Sequence, residues 1–351
     1  MRKLAVKTVK ARILSPTKRK EALLKAEFEA FQRVLGGGEA ELYSATRQQA
    51  ERLRKRINGR KAFYPLVLRR DTIKLSRKNT KLARYWLRVP VFGIRGGIWL
   101  PIRPHCEIPE DVSIRETKIV KKKRGWFAYI TISQEVEVPE PQGRPLLAVD
   151  LGEKYLAVVC GDGISPKFYG KEARGIRRHY AWLRRRLGKR KLLKVIRRIG
   201  RTERRKIDAV LHRVSRRIVD EAKAKGAAIV LGELKGIRKK ARGKRMNRIV
   251  SFMPYYRLSF FIQYKALWEG IPVVKVKEAY TSKTCHRCGF QGSRPYRGLF
   301  VCHNCGLRYN ADLNGALNIL ERARGYIPPA GAALTQPLTS ARQLDRGTPR
   351  L

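Results

Sequence analysis

The apolar positions of this chain change period several times, and each change predicts a change of structure. Over the first fourteen residues apolar and basic side chains alternate (Leu4, Val6, Val9, Ala11, Ile13), the period of a half-buried strand. Ser15-Pro16-Thr17 interrupts the pattern. From Lys18 the spacing becomes helical, through Leu23, Leu24, Ala26, Phe28, Phe31 and Leu35 to the break at Gly36-Gly37-Gly38. A second helical stretch covers 39–57 and stops at Asn58-Gly59. Residues 84–104 and 112–137 return to alternation, rich in aromatic and β-branched side chains, with a hairpin turn over 121–125. Strand, helices, then strands predicts a β-barrel domain from 1–16 and 60–140, interrupted by a helical insert at 17–59. The segment Val138-Pro139-Glu140-Pro141-Gln142-Gly143 reads as a linker.

Beyond the linker the texture is α/β. PLLAVDLGEKYLAVVC reads as two apolar strands joined at 150–154. A long basic helical arm follows over 171–206, and Ile207, Val210, Leu211, Val214 and Ile218 carry its apolar stripe onward. Residues 227–236 (AAIVLGELKG) form a continuous apolar run, as in a strand covered on both faces. Residues 255–269 are helical in period and 271–279 form another strand. That order is α/β in class. The tail over 326–351, rich in Pro, Gly, Ala and Arg, is expected to be disordered.

Charge narrows the function. Eighty Lys and Arg against 28 Asp and Glu leave a formal +52 over 351 residues, while the apolar fraction of 43% is that of a folded protein. Self-repulsion on this scale opposes any compact state, so a polyanion is the implied partner. An ordinary metabolic enzyme is excluded. A nucleic-acid duplex of about 20 bp carries roughly 40 phosphates, so the excess matches a whole embedded duplex better than one docked groove. The arm over 171–206 concentrates the charge, with seventeen cations and two acids. Arg177, Arg178, Arg184, Arg185, Arg186, Arg190, Lys191, Arg197 and Arg198 are its candidate phosphate contacts. The first residues are basic but no apolar stretch follows them, and no run reaches the roughly 18 apolar residues of a membrane span. The chain reads as cytosolic, associating with the nucleoid when bound to DNA, with no membrane partner.

Four of the six cysteines fall within 21 residues. Cys285-x2-Cys288 and Cys302-x2-Cys305 are each followed by Gly, and two such turns offer four thiolates to one tetrahedral ion, the pattern of a structural zinc. With all four positions filled, that zinc does not activate water. His286 and His303, inside the pairs, are expected to be surface residues near nucleic acid, and Cys106 and Cys160 ordinary buried thiols.

Acids are scarce, which draws attention to those at strand ends. Asp150 closes the strand LLAVD, Glu233 closes AIVLGE, and Asp312 opens the helical stretch DLNGALNILERA, where the helix dipole tolerates an anion. Three carboxylates from separate segments converging on divalent cations is what two-metal phosphodiester hydrolysis requires.

The blocks AVDLGEKYLAVV, IVLGELKGI, SKTCHRCG and FVCHNCGLRYNADLNGALNIL, in this order, resemble the RuvC-like nuclease core and zinc ribbon of the TnpB (OrfB) proteins of insertion sequences, to which type V CRISPR effectors are similar. The resemblance covers about residues 145–322, whereas 1–140 match only in layout the family's wedge-like β-barrel and helical recognition domain. It implies a multidomain protein: an RNase-H-like (RuvC-type) α/β core over 141–284 and 307–325, with a four-cysteine zinc ribbon over 285–306 inserted. It also implies an RNA-guided DNA endonuclease, in a family long described as transposases, with a guide RNA and a double-stranded DNA target as partners. By motif, Asp150, Glu233 and Asp312 would hold two Mg2+, and Cys285, Cys288, Cys302 and Cys305 one Zn2+. Two departures stand out: Gly315 replaces a usual Ala, and Ala311 stands where the family often has an Arg that would help position phosphate. A non-catalytic nucleic-acid-binding protein and a DNA-joining transposase are the competing readings, and retention of all three acids favours the nuclease.

Overall fold

The computed structural model describes residues 1–57, 63–233, 243, 254–278, 280–296 and 298–326. The predicted stop at Asn58-Gly59, the end of the strand beyond 233 and the tail from 327 lie outside the described residues. The chain divides into two compact units, Leu4–Glu135 and Met1–Lys3 with Val136–Leu351.

The first unit is a seven-stranded antiparallel sheet in the order β2-β6-β7-β1-β5-β4-β3. Its strands are β1 (Arg2–Ile13), β2 (Leu66–Leu68), β3 (Lys74–Arg77), β4 (Tyr85–Val89), β5 (Ile98–Pro104), β6 (Ser113–Lys122) and β7 (Gly125–Glu137). β2 and β3 are its edges. Two helices, α1 (Lys18–Gly36) and α2 (Ser44–Arg54), lie between β1 and β2 in sequence. Thr17 caps α1 by accepting from the Lys20 amide, and Gly37, at φ 95°, ends it in the left-handed conformation that lacks a steric cost for glycine. α2 begins five residues later than its period suggests. In β1 the inward parity belongs to Ala5, Val9, Ala11 and Ile13, so Leu4 and Val6, which fit the apolar alternation, are exposed instead. Cys106 is exposed as well, against expectation, while Cys160 is buried.

The second unit is built on a five-stranded sheet in the order β10-β9-β8-β11-β12. β8 (Leu146–Asp150), β9 (Ala157–Gly161) and β10 (Ile164–Tyr169) form an antiparallel meander. β11 (Ala228–Glu233) then lies parallel to β8, and β12 (Val273–Lys277) parallel to β11. The continuous apolar runs are explained by cover on both faces. Leu147, Val149, Ile229 and Leu231 pack against Val210, Leu211, Val214 and Ile218 of α4 (Leu193–Ala224) and Leu258 and Ile262 of α5 (Tyr255–Trp268). Their neighbours of opposite parity, Ala148, Val158, Val230 and Val276, pack against Leu313, Ala316, Ile319 and Leu320 of α6 (Ala311–Tyr326).

The basic arm is two helices rather than one. α3 (Glu172–Lys189) folds back onto α4 through a turn in which Lys191 adopts a positive φ of 52°. The unbroken stripe of apolar residues conceals the turn, because both helices use their apolar side against a neighbour. The second half of the stripe carries the burial: Leu211 is inaccessible, whereas Leu193 is 65% exposed. Leu211→Ala is therefore expected to cost about 2–5 kcal/mol of stability, and Leu193→Ala less than about 0.5 kcal/mol. Denaturant unfolding of the two variants checks this; equal losses would contradict the packing.

Candidate functional site

The C-terminal ends of the parallel strands gather the acids. Asp150 is the last residue of β8, and alternation turns it toward α6. There it meets Gly315, whose missing side chain makes room for it: a Cβ on Gly315 would lie 2.9 Å from Asp150 Oδ2. Gly315 is thus the residue that admits the carboxylate, which gives the departure from Ala a physical role. Asp312, in the first turn of α6, lies beside the chain that leaves Asp150: a Cβ on Gly152 would come within 3.9 Å of Asp312 Cγ. The helix is capped here by Asn310, whose Oδ1 accepts from the amides of Asp312 and Leu313 at 3.0 and 3.1 Å.

The electrostatics agree with this proximity. Burial pushes the Asp150 carboxyl up to about 7, the neighbouring Asp312 charge adds to the shift, and Arg294 opposes it. Arg294 Nη2 donates to Asp312 Oδ1 at 3.2 Å. The Tyr255 phenol at the start of α5 is held above its ordinary range by burial and by the charges of Asp150, Glu278, Glu153 and Asp312. Glu278, just past β12, is pushed up to about 8 by burial and Asp150, against Arg322.

Glu233 is placed by its strand. It ends β11 opposite Lys277 of β12, half-buried at the same sheet edge, two residues beyond the Leu231–Val149 pair. The structure therefore brings Asp150 and Asp312 together and sets Glu233 at their end of the sheet. The three do not form a tight set: among the described residues, only the four cysteines offer at least three ligand atoms within 4.8 Å of one another.

Those cysteines form a compact centre. Sγ atoms of Cys285 and Cys305 are 3.7 Å apart, and those of Cys288 and Cys302 3.5 Å. A tetrahedral ion with metal–sulfur bonds of about 2.3 Å requires sulfur separations of about 3.8 Å, whereas a disulfide would need about 2.05 Å. The thiols fit a metal. Gly289 and Gly306, both at positive φ, turn the chain so that backbone amides approach sulfur, and the Phe290 amide helps bring Cys288 down to about 6. β13 (Leu299–Val301) and β14 (Arg308–Asn310) pair antiparallel beneath the centre, over a core of Phe300 and Ala311. Ala311 is 1% exposed, so the position where the family often carries an Arg faces this core.

His286 is not the surface residue that its place in the Cys pair suggests. Its backbone amide donates to Asn314 Oδ1 at 3.1 Å, its Nδ1 lies 2.9 Å from the same oxygen, and its ring packs on Tyr309. Asn314 Nδ2 in turn donates to Thr284 O, and Asn318 Nδ2 to Thr281 O and Thr284 O, all at 2.7 Å. Both asparagines are buried, so α6 is bolted to the chain entering the Cys centre. His303 is exposed and bonded to Ser293 at 2.8 Å.

Of the nine cations proposed for phosphate, seven are exposed: Arg178, Arg185, Arg186, Arg190, Lys191, Arg197 and Arg198. The other two turn inward. Arg184 pairs with Glu203 of α4, and Arg177 is half-buried within the field of the same carboxylate. Both of the arm's acids thus serve their own helix hairpin, Glu203 holding Arg184 and Glu172 holding Arg213 of α4. The exposed Trp182 carries Arg186 over its ring at 4.8 Å, which presents a cation and an aromatic face together.

Sequence reasoning missed Arg294 and Glu278. Nothing in the ribbon marks Arg294 among so many arginines. Glu278 closes the run IPVVKVKE and carries the same signal, an acid ending an apolar strand, that singles out Asp150 and Glu233.

Parts of the chain are similar to known proteins. The domain described as Cas12f1-like, TNB domain matches residues 255–319, which hold α5, the Cys centre and the start of α6. A TnpB-like protein of Aquifex aeolicus is 38% identical over 104 residues, 28% of this chain and 34% of its own length. The CRISPR-associated endodeoxyribonuclease Cas12f2 of a Micrarchaeota archaeon is 41% identical over 99 residues, 25% of this chain and 18% of its own length. The matched part of the chain thus spans about a third or less of these relatives. A cryo-EM structure of a Cas12f1-sgRNA-target DNA complex shares the fold, with a TM-score of 0.52 at 17% identity over 86% of this chain and 81% of that one. The matched domain and these relatives make part of the chain similar to the TnpB/Cas12-type family, and the fold is shared with a solved Cas12f1 complex.

Proposed function

We propose that this chain is an RNA-guided DNA endonuclease of the TnpB type, associated with an insertion sequence. The observation that carries the reading is the approach of Asp150 and Asp312 at one end of the sheet, joined there by Arg294 from the Cys-bearing ribbon. Like charges brought together in a partly buried site are costly to the protein, and a chain that only bound nucleic acid would have no use for them. Similarity to an endodeoxyribonuclease, and a fold shared with a protein solved with guide RNA and target DNA, support the same reading.

In this proposal Asp150, Glu233 and Asp312 hold two Mg2+, and Cys285, Cys288, Cys302 and Cys305 hold one Zn2+. The residues suit these ions: hard carboxylate oxygens for Mg2+, and four thiolates in a closed tetrahedron for zinc. Bound divalent cations supply an activated water and stabilise the leaving oxygen. Asp150 and Asp312, fixed by a strand end and a capped helix, would hold these cations at the end of the sheet. Arg294 lies against Asp312, where a guanidinium can also donate to a phosphate oxygen, a role open at this site although Ala311 offers no cation. The exposed cations of the α3–α4 hairpin take phosphates of the guide or of the guide–target duplex. The unit formed by 1–16 and 60–140, with the insert at 17–59, takes the wedge and recognition roles of the family.

Asp150→Asn tests the chemistry and the electrostatics together. It is expected to reduce Mg2+-dependent cleavage of guide-matched DNA to background while RNA and DNA binding persist. Because the folded protein holds Asp150 well above the ordinary carboxylate range, its ionisation costs stability. The cost is absent below that range, grows as pH rises towards about 7 and is level above it. Without divalent cation the variant should therefore be more stable than the parent at pH 8, by on the order of 1–3 kcal/mol, with the difference fading towards pH 4. A variant that still cuts refutes the assignment.

Cys302→Ser should lower the metal content from one zinc per chain to none and, by loosening the ribbon that anchors α6, also abolish cleavage. Elemental analysis of freshly purified protein checks it.

Replacing the exposed Arg185, Arg186 and Arg190 by Gln should weaken binding to all targets alike. The log–log salt slope should fall by about 0.7–0.9 for each phosphate that is no longer neutralised. Arg184→Gln, which breaks an internal pair, should instead lower the unfolding midpoint and leave the slope nearly unchanged. A changed choice of DNA sequence in the triple variant would mean that the hairpin reads bases.

A further inference from the structure

Glu278 stands where a further cation ligand would stand. β12 runs parallel to β11 with Val276 opposite Gly232 and Lys277 opposite Glu233, and Glu278 is the next residue. Side chains alternate across a sheet, so Glu278 has the parity of Val276, Val230 and Ala148, which face α6, and Asp150 has this parity too. Glu233 has the parity of Leu231 and Val149, which face α4 and α5.

Two further observations give Glu278 a direction. Its side chain lies across Gly232, where any Cβ would collide with its Oε1 and Cδ. Because Leu231 pairs with Val149, Gly232 is the β11 residue alongside Asp150. The carboxylate therefore reaches over β11, the strand between β12 and β8, toward Asp150, through space that only a glycine leaves open. In addition, Glu278 Oε1 is fully buried and has no hydrogen-bond partner. A buried carboxylate oxygen without a donor is costly, and a cation shared with the neighbouring acids removes that cost.

We propose that Glu278 is a fourth carboxylate of the divalent-cation site, acting on the α6 face together with Asp150 and Asp312, and that Gly232 is required for it to reach them. This inference rests on the reading of Asp150 and Asp312 as cation ligands. It adds a ligand from the last strand of the sheet, so that β8, β11, β12 and α6 would each contribute one acid.

The test uses the full-length, zinc-loaded chain and Mn2+ as the probe, with free Mn2+ followed by electron paramagnetic resonance. Glu278→Gln keeps the shape and removes the charge. Gly232→Ala keeps every acid and obstructs the path of Glu278. Both are expected to weaken Mn2+ binding by about 10- to 100-fold with zinc content unchanged, and Glu278→Gln to fold with an unfolding midpoint no lower than the parent's. Asp150→Asn separates this proposal from the reading beneath it. If Asp150→Asn weakens Mn2+ binding and Glu278→Gln does not, Glu278 is a buried packing residue and the proposal fails alone. If neither changes the affinity, the cation site itself is wrong. Should Glu278→Gln not fold, Gly232→Ala carries the decision, and unchanged Mn2+ affinity in that variant overturns the proposal.

Discussion

Carboxylates that repel one another are held at one end of a sheet, and much of the second unit is arranged to keep them there. The repulsion is legible in Asp150, pushed up to about 7 by burial and by Asp312. A free chain would relieve it by moving the acids apart. Here one acid is the last residue of an apolar strand covered on both faces, and another is in the first turn of a helix capped by Asn310. Neither can retreat without unpacking a core. Such stored repulsion is a common property of sites built for cations, because the ion that relieves it is bound with the free energy the fold has set aside.

The Cys centre is the second anchor of the same arrangement. It lies between β12 and α6 in sequence, so the position of Asp312 depends on how the ribbon ends. Ala311 and Phe300 form its core, Asn314 and Asn318 bind α6 to the chain entering the first Cys pair, and Arg294 reaches from the ribbon to Asp312. A metal held by four thiolates would have no open position for chemistry, so on the proposed reading the centre's contribution would be mechanical. It fixes the helix that carries an acid and supplies the guanidinium that lies against it.

Charge elsewhere follows the opposite logic. In a chain with 28 acids and 80 Lys and Arg, few cations can be neutralised internally. The α3–α4 hairpin uses Glu203 for Arg184 and Glu172 for Arg213, and leaves the remaining cations largely on the surface. Their repulsion weakens the isolated hairpin, and under the proposed function phosphate would offset it and make binding strongly dependent on salt.

Elements whose signals are local are legible in the amino-acid order. Alternation, helical spacing, the two Cys pairs and the acids at strand ends depend on neighbours within a few residues, so α1, β8, β11, β12 and the Cys centre can be read without any knowledge of packing. Other features arise from residues far apart in the chain and exist only once it has folded. The turn at Lys191 is hidden because the apolar stripe continues unbroken through both helices, and the inward parity of β1 is set by the sheet around it rather than by Leu4 and Val6. Arg184 looks like its neighbours until folding brings Glu203 opposite it. Gly315 reads as a departure until Asp150 fills the space it leaves, and Glu278 carries the right local signal but acquires a meaning only when the sheet sets it across Gly232. A one-dimensional pattern states which side chains prefer to be buried; which of them meet is fixed by the register of parallel strands joined through long crossovers, and that register is a property of the folded sheet.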